Sequence, residues 1–411
     1  MDLHFETPVL KYWGFKEDPF EDFILQGESL RLFVCRHYEL HRLHNALNTR
    51  CIGVYGTHGV GKSSFLRKFE KKIKHTGLVV AYVRLAGSTE KALYREILAA
   101  ILQCHSEKKI KTGKEFKLNS REESKRVDSS IRVAKELECG AVSVMKAGVK
   151  QAKEILSAPH DEDSARLLIS KIIANTKTAF VVIVDDLERM EYFLKNRISY
   201  ARFIAGFVRT VGDLFSRQGV AFVVSLDKGF VDQIGHKMPH DEGEALFSFE
   251  ELVELPNFLP QELADMIRKR LNDRKWGKTL GDFISPDAFW GLMLATGGHP
   301  RKGFGVLRMA MQYVEMRKKP RKLDMESIKE GLKGRPDSID DKDLTIVQFL
   351  SIPGSHSASD KDFQKAVGLG RTSLLNRLQA LTYRLGLEVA AERIGTTTKD
   401  VYSLPEIKFY V

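Results

Sequence analysis

A glycine-rich turn constrains the fold of this chain more than any other feature of its sequence. Residues 56–63 read GTHGVGKS and match the pattern G-x-x-x-x-G-K-[ST]. Residues 51–55 before the turn predict a short buried strand, and residues 63–72 after it predict a helix with an apolar face. A chance match would lack this strand and this helix, so the turn predicts a P-loop, which binds the phosphates of a nucleoside triphosphate.

The residue types of the turn suit phosphate binding. Glycines let the backbone turn tightly, so that successive N–H groups and the start of the following helix face the anion. Lys62 is expected to reach the β- and γ-phosphates and to assist catalysis, and the Ser63 hydroxyl is expected to ligate Mg²⁺. A loop of this kind binds phosphate without itself proving hydrolysis. The residues expected to contact the nucleotide here are Gly56, Thr57, His58, Gly59, Val60, Gly61, Lys62, Ser63 and Ser64.

A second landmark is an apolar run that ends in carboxylates. Residues 179–184 read AFVVIV and are followed by Asp185, Asp186 and, two residues later, Glu188. A continuous apolar run suits a strand buried on both faces of a parallel sheet, and its carboxyl end is expected beside the P-loop. This pattern is a Walker B motif, which predicts that Asp185 holds Mg²⁺ through water. Asp186 is expected to orient the attacking water, with Glu188 as the second candidate for that role.

Composition limits the classes of protein to which the chain can belong. Its 411 residues suggest two or three domains, and no apolar run approaches the ~20 residues of a membrane span. The N-terminus is acidic and aromatic, unlike a secretory signal, so a cytoplasmic protein is expected. Four cysteines without a C-x-x-C pair predict free thiols. The net charge of +11 favours a polyanionic partner such as nucleic acid, in which case the protein would be nucleoid-associated.

Four segments are expected along the chain. Residues 1–50 form an N-terminal arm and helix, and residues 51–256 form an α/β P-loop NTPase base with a lysine-rich insertion at about 104–160. Residues 257–335 form a helical lid, and residues 338–411 form a C-terminal domain. The aromatic arm either packs on the nucleotide domain or simply fills a core.

Two further segments carry candidate contacts to the phosphates. Residues 219–227 predict a central strand, at whose polar end Ser225 or Asp227 is either a γ-phosphate sensor or a loop cap. The lid sequence 297–301 reads GGHPR and opens a helix, from which Arg301 is expected to point back at the phosphates. The lid holds 17 basic and 9 acidic residues, so much of the net positive charge lies in it.

The C-terminal segment predicts three helices followed by a two-stranded hairpin, which is the pattern of a winged helix. Such a domain binds duplex DNA through its third helix and its wing, although winged helices also serve as protein-interaction modules. The segment carries nine basic and nine acidic residues, a balance that weakens the DNA interpretation. The residues expected on or near the recognition helix are Arg371, Thr372, Ser373, Asn376 and Arg377, and those on the wing are Arg393 and Lys399.

Taken in this order, the motifs resemble those of the AAA+ ATPases of the archaeal and eukaryotic replication-initiator (origin-recognition) group. The similarity covers about residues 28–411. Residues 33–40 look like the segment that in this group precedes the nucleotide domain and lies near the adenine, which implies that Arg36 belongs to the nucleotide site. Arg301 matches the sensor-2 arginine, which implies a contact with the γ-phosphate. The choice of ATP over GTP rests on this resemblance.

Two departures from that group stand out. The segment from which AAA+ rings present an arginine finger, residues 228–251, contains no arginine, so Lys237 or one of Arg202, Arg209 and Arg217 would have to replace it. In addition, DDLER at residues 185–189 and FVVSLDK at residues 222–228 look like the STAND and KAP classes of signalling NTPases, whose members often lack the finger.

Two functional hypotheses follow. In the first, the chain is an ATP-controlled switch that closes its lid on ATP, binds duplex DNA and resets by slow hydrolysis, in replication initiation, transposition targeting or defence against mobile DNA. In the second, it is a STAND- or KAP-like signalling or scaffold ATPase that assembles with a protein partner or with its own copies. A purely structural use of the nucleotide is a third possibility.

Overall fold

The computed structural model describes residues 8–49, 51–76, 78–85, 90–106, 169, 179–189, 197–214, 220–237, 249–336, 338–352, 356–394 and 397–409. The insertion predicted at about 104–160 lies outside the described residues from residue 107 onward. Contacts divide the chain into two compact units. The first comprises Met1–Cys35, Gly59–Gly61 and Pro256–Val411, and the second comprises Arg36–His58 and Lys62–Leu255.

The second unit is built on a parallel sheet of five strands in the order β2-β3-β4-β1-β5. The strands are β1 (Cys51–Gly56), β2 (Val79–Arg84), β3 (Phe180–Asp185), β4 (Val220–Asp227) and β5 (Glu251–Glu254). All neighbouring strands run parallel, and β4 lies between the P-loop strand β1 and the Walker B strand β3. The α/β P-loop NTPase fold predicted from the sequence is therefore confirmed.

Helices cover this sheet because its strands are apolar on both faces. Every residue of β3 is buried, as the continuous apolar run 179–184 predicts. A large core joins the strands to the helices through aromatic side chains such as Phe207, which packs edge-on against Phe222. The helices are α2 (His37–Asn45), α3 (Lys62–Lys74), α4 (Glu90–Ser106), α5 (Arg197–Leu214) and α6 (Lys228–Lys237).

The first unit combines the N-terminal arm, the lid and the C-terminal domain around one core. The arm contributes α1 (Pro8–Trp13) and a 3-10 turn at Gly27–Leu32. Its buried rings enter the lid core: Trp13 lies 5.3 Å from Phe283 between ring centroids, and Phe20 lies 5.7 Å from Phe304. The arm thus fills a core, the second of the two roles expected for it. The lid helices are α7 (Pro260–Asp273), α8 (Leu280–Phe283), α9 (Pro286–Thr296), α10 (Pro300–Met316) and α11 (Met325–Leu332).

The C-terminal domain contains three helices and a three-stranded sheet. Its elements are α12 (Asp341–Leu350), β6 (His356–Ser357), α13 (Lys361–Val367), α14 (Arg371–Leu385), β7 (Glu388–Ile394) and β8 (Thr397–Ser403). The sheet is antiparallel in the order β6-β8-β7, so the predicted hairpin gains a third short strand. The domain packs on the lid, where the Phe409 ring meets Phe289 edge-on and the Phe409 carbonyl accepts a 2.8 Å hydrogen bond from the backbone N–H of Gly281. Within the described ranges, no helix is long and apolar enough to cross a membrane.

Candidate nucleotide-binding site

The predicted P-loop connects β1 to α3. Gly59 and Gly61 have φ values of +89° and +103°, a backbone conformation that glycine adopts without steric cost. Gly59 is also closely approached, since a Cβ built there would lie 2.9 Å from Cδ of Arg301 and 3.0 Å from Cε1 of His299. Both the conformation and the space therefore require glycine at position 59.

Lys62 lies at the start of α3 with its side chain only 5% exposed. Its ammonium group donates hydrogen bonds to the backbone carbonyls of Gly56, at 2.9 Å, and Thr57, at 3.4 Å. It also forms a buried ion pair with Glu188, with 3.2 Å between Nζ and Oε1. The lysine is thus held at the P-loop by groups from both β1 and the segment after β3.

Asp185 ends β3 and is almost fully buried. Its Oδ2 accepts a 2.7 Å hydrogen bond from the Tyr82 hydroxyl, and its Oδ1 accepts a 2.9 Å bond from the backbone N–H of Asp186. The Ser63 hydroxyl is also hydrogen-bonded to this carboxylate. Burial raises the pKa of Asp185, while the hydrogen bonds from Tyr82 and Ser63 act in the opposite direction.

The Ser63 hydroxyl and the Asp185 carboxylate suit a magnesium ion. Both are oxygen donors, which Mg²⁺ prefers, and they meet at the start of α3, where phosphates bind in a P-loop. A bound cation would also offset the cost of burying this carboxylate. The two residues predicted to hold Mg²⁺ are therefore brought together.

Asp186 and Glu188 face different partners. Asp186 has a left-handed backbone with φ of +62°, and its N–H also donates to the hydroxyl of Ser225 at 3.0 Å. Its carboxylate accepts a 2.7 Å hydrogen bond from Nε of Arg84 at the end of β2. After it, a 3-10 turn at Leu187–Arg189 brings Glu188 to Lys62. Of the two candidates for orienting water, Glu188 is the one that contacts the P-loop lysine.

One oxygen of Glu188 has no hydrogen-bond partner in the described part of the chain. Oε1 faces Lys62, whereas Oε2 is buried and accepts no hydrogen bond from any described residue. Nearby, burial raises the pKa of the Tyr200 hydroxyl, and the negative charge of Glu188 adds to that rise. Unpartnered buried carboxylate oxygens are rare, and they mark places where a further polar group is expected.

Sequence reasoning missed the residues of β2 that support Asp185. Tyr82 reaches Asp185 with its hydroxyl, and the guanidinium of Arg67 lies 3.3 Å from the centre of the Tyr82 ring. The parallel register places Val83 opposite Val184 and Arg84 opposite Asp185. The sequence did carry a signal for these residues. Positions 82 and 84 are polar although they lie near the end of a strand that is otherwise apolar.

One protein family matches the part of the chain that contains this site. The KAP family P-loop domain matches residues 42–283, more than half of the chain. This chain belongs to the KAP family. The resemblance of residues 185–189 and 222–228 to the KAP class is thereby confirmed, and the KAP-family chain is a nucleotide-binding P-loop NTPase. No curated protein matches its sequence.

Solved structures with a similar arrangement have low identity to the KAP-family chain. The ORC2 protein of Aeropyrum pernix, in ADPNP and ADP complexes, is 15% identical with a TM-score of 0.37, covering 95% of this chain and 94% of that one. The RuvB Holliday junction branch migration motor of Thermotoga maritima is 11% identical with a TM-score of 0.36, covering 94% and 96%. The Walker-type ATPase paby2304 of Pyrococcus abyssi is 12% identical with a TM-score of 0.38, covering 93% and 97%.

The other candidate contacts to the nucleotide make their own interactions. In the KAP-family chain, Arg36 is buried with a left-handed backbone and donates to Glu39 at 3.2 Å. Nε of Arg301 lies 2.6 Å from the Asp22 carboxylate of the arm. Ser225 is buried beneath Asp186, whereas Asp227 accepts a 2.9 Å hydrogen bond from the N–H of Gly229, as a loop cap does.

Of the residues considered as replacement arginine fingers, Arg209 is exposed on α5. The side chains of Lys237 and Arg202, and the whole of residue Arg217, lie outside the described part of the chain. No replacement is therefore assigned.

The predicted DNA contacts divide into two groups. Arg371, Thr372, Ser373 and Asn376 are exposed on the first turns of α14. Arg377 instead forms ion pairs with Asp340, at 3.0 Å, and Asp343, at 2.5 Å, and these carboxylates raise its pKa. On the hairpin, Arg393 is exposed on β7 and Lys399 is half-buried on β8.

Proposed function

We propose that this KAP-family chain is an ATPase whose nucleotide state controls binding to duplex DNA. The observation that carries the enzymatic part is the grouping of Lys62, Ser63, Asp185 and Glu188 at one edge of the sheet. Lys62 and the backbone N–H groups of the P-loop bind the β- and γ-phosphates. Ser63 and Asp185 hold Mg²⁺, which when bound offsets the negative charge of the phosphates.

Glu188 orients the attacking water in this proposal, in preference to Asp186. Its buried Oε2 is without a partner among the described residues and can accept a hydrogen bond from water. The Asp186 carboxylate is engaged by Arg84, which supports a positioning role at the end of β2. Arg301 senses the γ-phosphate in this proposal, as the match of residues 297–301 to the sensor-2 segment implies.

Three variants test the enzymatic part. Lys62→Ala is expected to abolish ATP binding, because the phosphates lose their main cation. Glu188→Gln is expected to keep ATP binding within about twofold and to lower turnover by about 10²- to 10⁴-fold, the usual contribution of a general base. Asp186→Asn is the matched control, and its turnover should fall far less. Calorimetry would measure ATP affinity, and single-turnover hydrolysis would measure the rate of the chemical step. If Glu188→Gln kept normal turnover while Asp186→Asn lost most of it, Asp186 would be the residue that orients the attacking water.

The DNA part rests on charge and on the C-terminal domain. The chain carries a net charge of +11, which suits a polyanionic partner. The strand order β6-β8-β7, with α13 and α14 before the hairpin, supports the winged-helix interpretation. Replication initiation, transposition targeting and defence against mobile DNA are the settings in which such a switch would act.

Two observations favour a second function, that of a signalling or scaffold ATPase with a protein partner or its own copies. Arg377 of the predicted recognition helix is neutralised by Asp340 and Asp343, and Arg384 donates to the backbone carbonyl of Leu294 in the lid. Two of the basic side chains of α14 therefore make contacts within the protein. The C-terminal domain would then assemble with a partner rather than with DNA.

Duplex binding separates the two functions. With ATP, affinity for a short fluorescent duplex is expected to fall steeply between about 50 and 200 mM salt, because phosphate contacts release counterions. ADP is expected to weaken binding, and Lys62→Ala should bind equally with or without ATP. Absence of binding at low salt with ATP, together with ATP-dependent oligomers on a sizing column, would favour the scaffold function.

A further inference from the structure

A basic loop connects α10 to α11 in the lid. Residues 317–322 read RKKPRK, so five of the six carry positive charge and none is acidic. The lid holds 17 basic and 9 acidic residues, while the C-terminal domain is balanced at nine of each, and the loop is the densest basic stretch of the lid. We call residues Arg317–Lys322 the basic loop.

The basic loop is held in one shape at both ends. At its start the N–H of Lys318 donates to the carbonyl of Glu315 at 3.0 Å, and the Tyr12 hydroxyl of α1 donates to the carbonyl of Lys319. At its end the N–H of Leu323 donates to the carbonyl of Phe283 at 2.7 Å. A loop with its backbone fixed in this way loses little conformational entropy when a partner binds.

Most cations of the basic loop are available to a partner. Lys319 is used internally, since its ammonium lies 2.5 Å from Glu326 and 3.7 Å from Asp324. The other four are exposed and make no ion pair with any residue that the structure describes: Arg317, Lys318, Arg321 and Lys322.

Two of these four cations are oriented by aromatic rings. The guanidinium of Arg317 lies 5.7 Å from the centre of the Tyr313 ring, and that of Arg321 lies 5.5 Å from the Tyr12 ring. One carboxylate faces the end of the loop: hydrogen bonds from Thr279 lower the pKa of Asp282, and the charges of Lys278 and Lys322 lower it further. Asp324 and Glu326 lie on Lys319, and the charge of Arg317 also acts on Glu326. The five cations of the loop outnumber these two carboxylates and Asp282, so the loop is positive.

We propose that the basic loop binds the phosphate backbone of duplex DNA and carries most of the salt-dependent affinity. The inference rests on the proposed DNA-binding function and names a surface outside the predicted recognition helix. On the predicted recognition helix α14, by contrast, the charge of Arg377 is neutralised by two carboxylates. The basic loop supplies sequence-independent affinity, because phosphate contacts fix orientation and carry no base information.

An anionic membrane surface is the alternative partner for a basic loop, and the structure favours it less. Helices that lie on membranes bury a wide apolar face alongside their cations. Beside the basic loop, the large apolar side chains that are exposed in the described residues are Met316 and, further back on α10, Met309. Two methionines do not make such a face.

Two pairs of substitutions test the inference at matched charge. Arg321→Ala/Lys322→Ala removes two cations from the basic loop, and Lys71→Ala/Lys72→Ala removes two exposed lysines from α3 as the control. With ATP, the loop pair is expected to lower duplex affinity at least tenfold at low salt. It should also make the slope of log Kobs against log [salt] shallower by about 0.9 for each phosphate that the variant no longer neutralises. The control pair is expected to change neither quantity.

The test is extended by a quadruple variant, Arg317→Ala/Lys318→Ala/Arg321→Ala/Lys322→Ala. A second variant with glutamine at the same four positions removes the charges but keeps long polar side chains, which shows whether a loss comes from charge or from a folding defect. Unchanged ATP affinity reports an intact fold. Wild-type-like duplex binding by the loop variants, or equal losses in the loop and control pairs, would overturn the inference while leaving DNA binding in place. Failure of the wild type to bind duplex, with or without binding to phosphatidylserine vesicles, would overturn the DNA function as well.

Discussion

At the scale of the residue, Asp185 illustrates how neighbouring donors orient a buried carboxylate. Its two oxygens are taken by different donors: the Tyr82 hydroxyl on Oδ2 and the Asp186 N–H on Oδ1. Tyr82 is in turn fixed by the guanidinium of Arg67 stacked on its ring. The orientation of the carboxylate is therefore decided by β2 and α3 as well as by β3.

Removing the Tyr82 hydroxyl tests this arrangement. Tyr82→Phe leaves Oδ2 of Asp185 without a donor, and losing one hydrogen bond to a buried group costs about 1–3 kcal/mol. We expect affinity for Mg²⁺·ATP to fall about tenfold, with little change in affinity for ATP in EDTA, both measured by calorimetry. Tyr55→Phe is the control, since its hydroxyl donates to Glu254 at 3.1 Å on the other side of the sheet. Equal losses with and without Mg²⁺ would show that Tyr82 only supports the fold.

At the scale of the element, the N-terminal arm is docked on the lid by rings and by charge. The indole N–H of Trp13 donates to the carbonyl of Met311 at 3.2 Å, and the buried Arg270 donates to the carbonyls of Pro19 and Glu21. Burial lowers the pKa of Arg270 to about 10. A buried guanidinium that is satisfied mainly by backbone carbonyls depends on the arm for its partners. The arm is thus part of the lid structure.

Truncating one arm ring tests that dependence. Phe20 is fully buried against Phe283 and Phe304, so Phe20→Ala is expected to destabilise the first unit by about 3–5 kcal/mol. Tyr383→Ala, at a side chain that is 91% exposed, is the control and should have little effect. All three tryptophans of the chain belong to the first unit, so tryptophan fluorescence during urea unfolding reports on that unit. Coincident urea midpoints for the two variants would contradict the docking.

At the scale of the whole molecule, charge is divided unevenly. The lid accounts for a net +8 of the total +11, from 17 basic and 9 acidic residues, while the C-terminal domain is neutral. The four carboxylates of the arm between residues 17 and 22 offset part of the lid charge, through ion pairs such as Asp22 with Arg301 and Glu17 with Arg274. In the described structure, no carboxylate forms an ion pair with the four exposed cations of the basic loop. A polyanion is therefore expected to meet the lid before the C-terminal domain.

Local motifs allowed much of the nucleotide site to be predicted. A P-loop works through contiguous backbone N–H groups, so its eight residues, with the strand and helix beside them, are enough to predict it. The Walker B strand is equally recognisable as a buried apolar run ending in Asp185. The α/β fold and the nucleotide class follow from these two segments. Interactions between distant segments could not be predicted, because a single sequence does not show which partner a side chain contacts.

The sequence by itself determined that this chain is a P-loop NTPase with Lys62, Ser63 and Asp185 at its centre, since their spacing and the flanking strands are local properties. Only the tertiary structure decided which carboxylate contacts Lys62: the left-handed backbone of Asp186 turns that side chain to Arg84, and the following 3-10 turn delivers Glu188. Only the tertiary structure, likewise, paired Arg377 with Asp340 and Asp343. It also left four cations of the basic loop without an ion pair among the described residues. The physical reason is the same in each case, because the position of a charge within a motif says nothing about the counter-charge that folding brings to it.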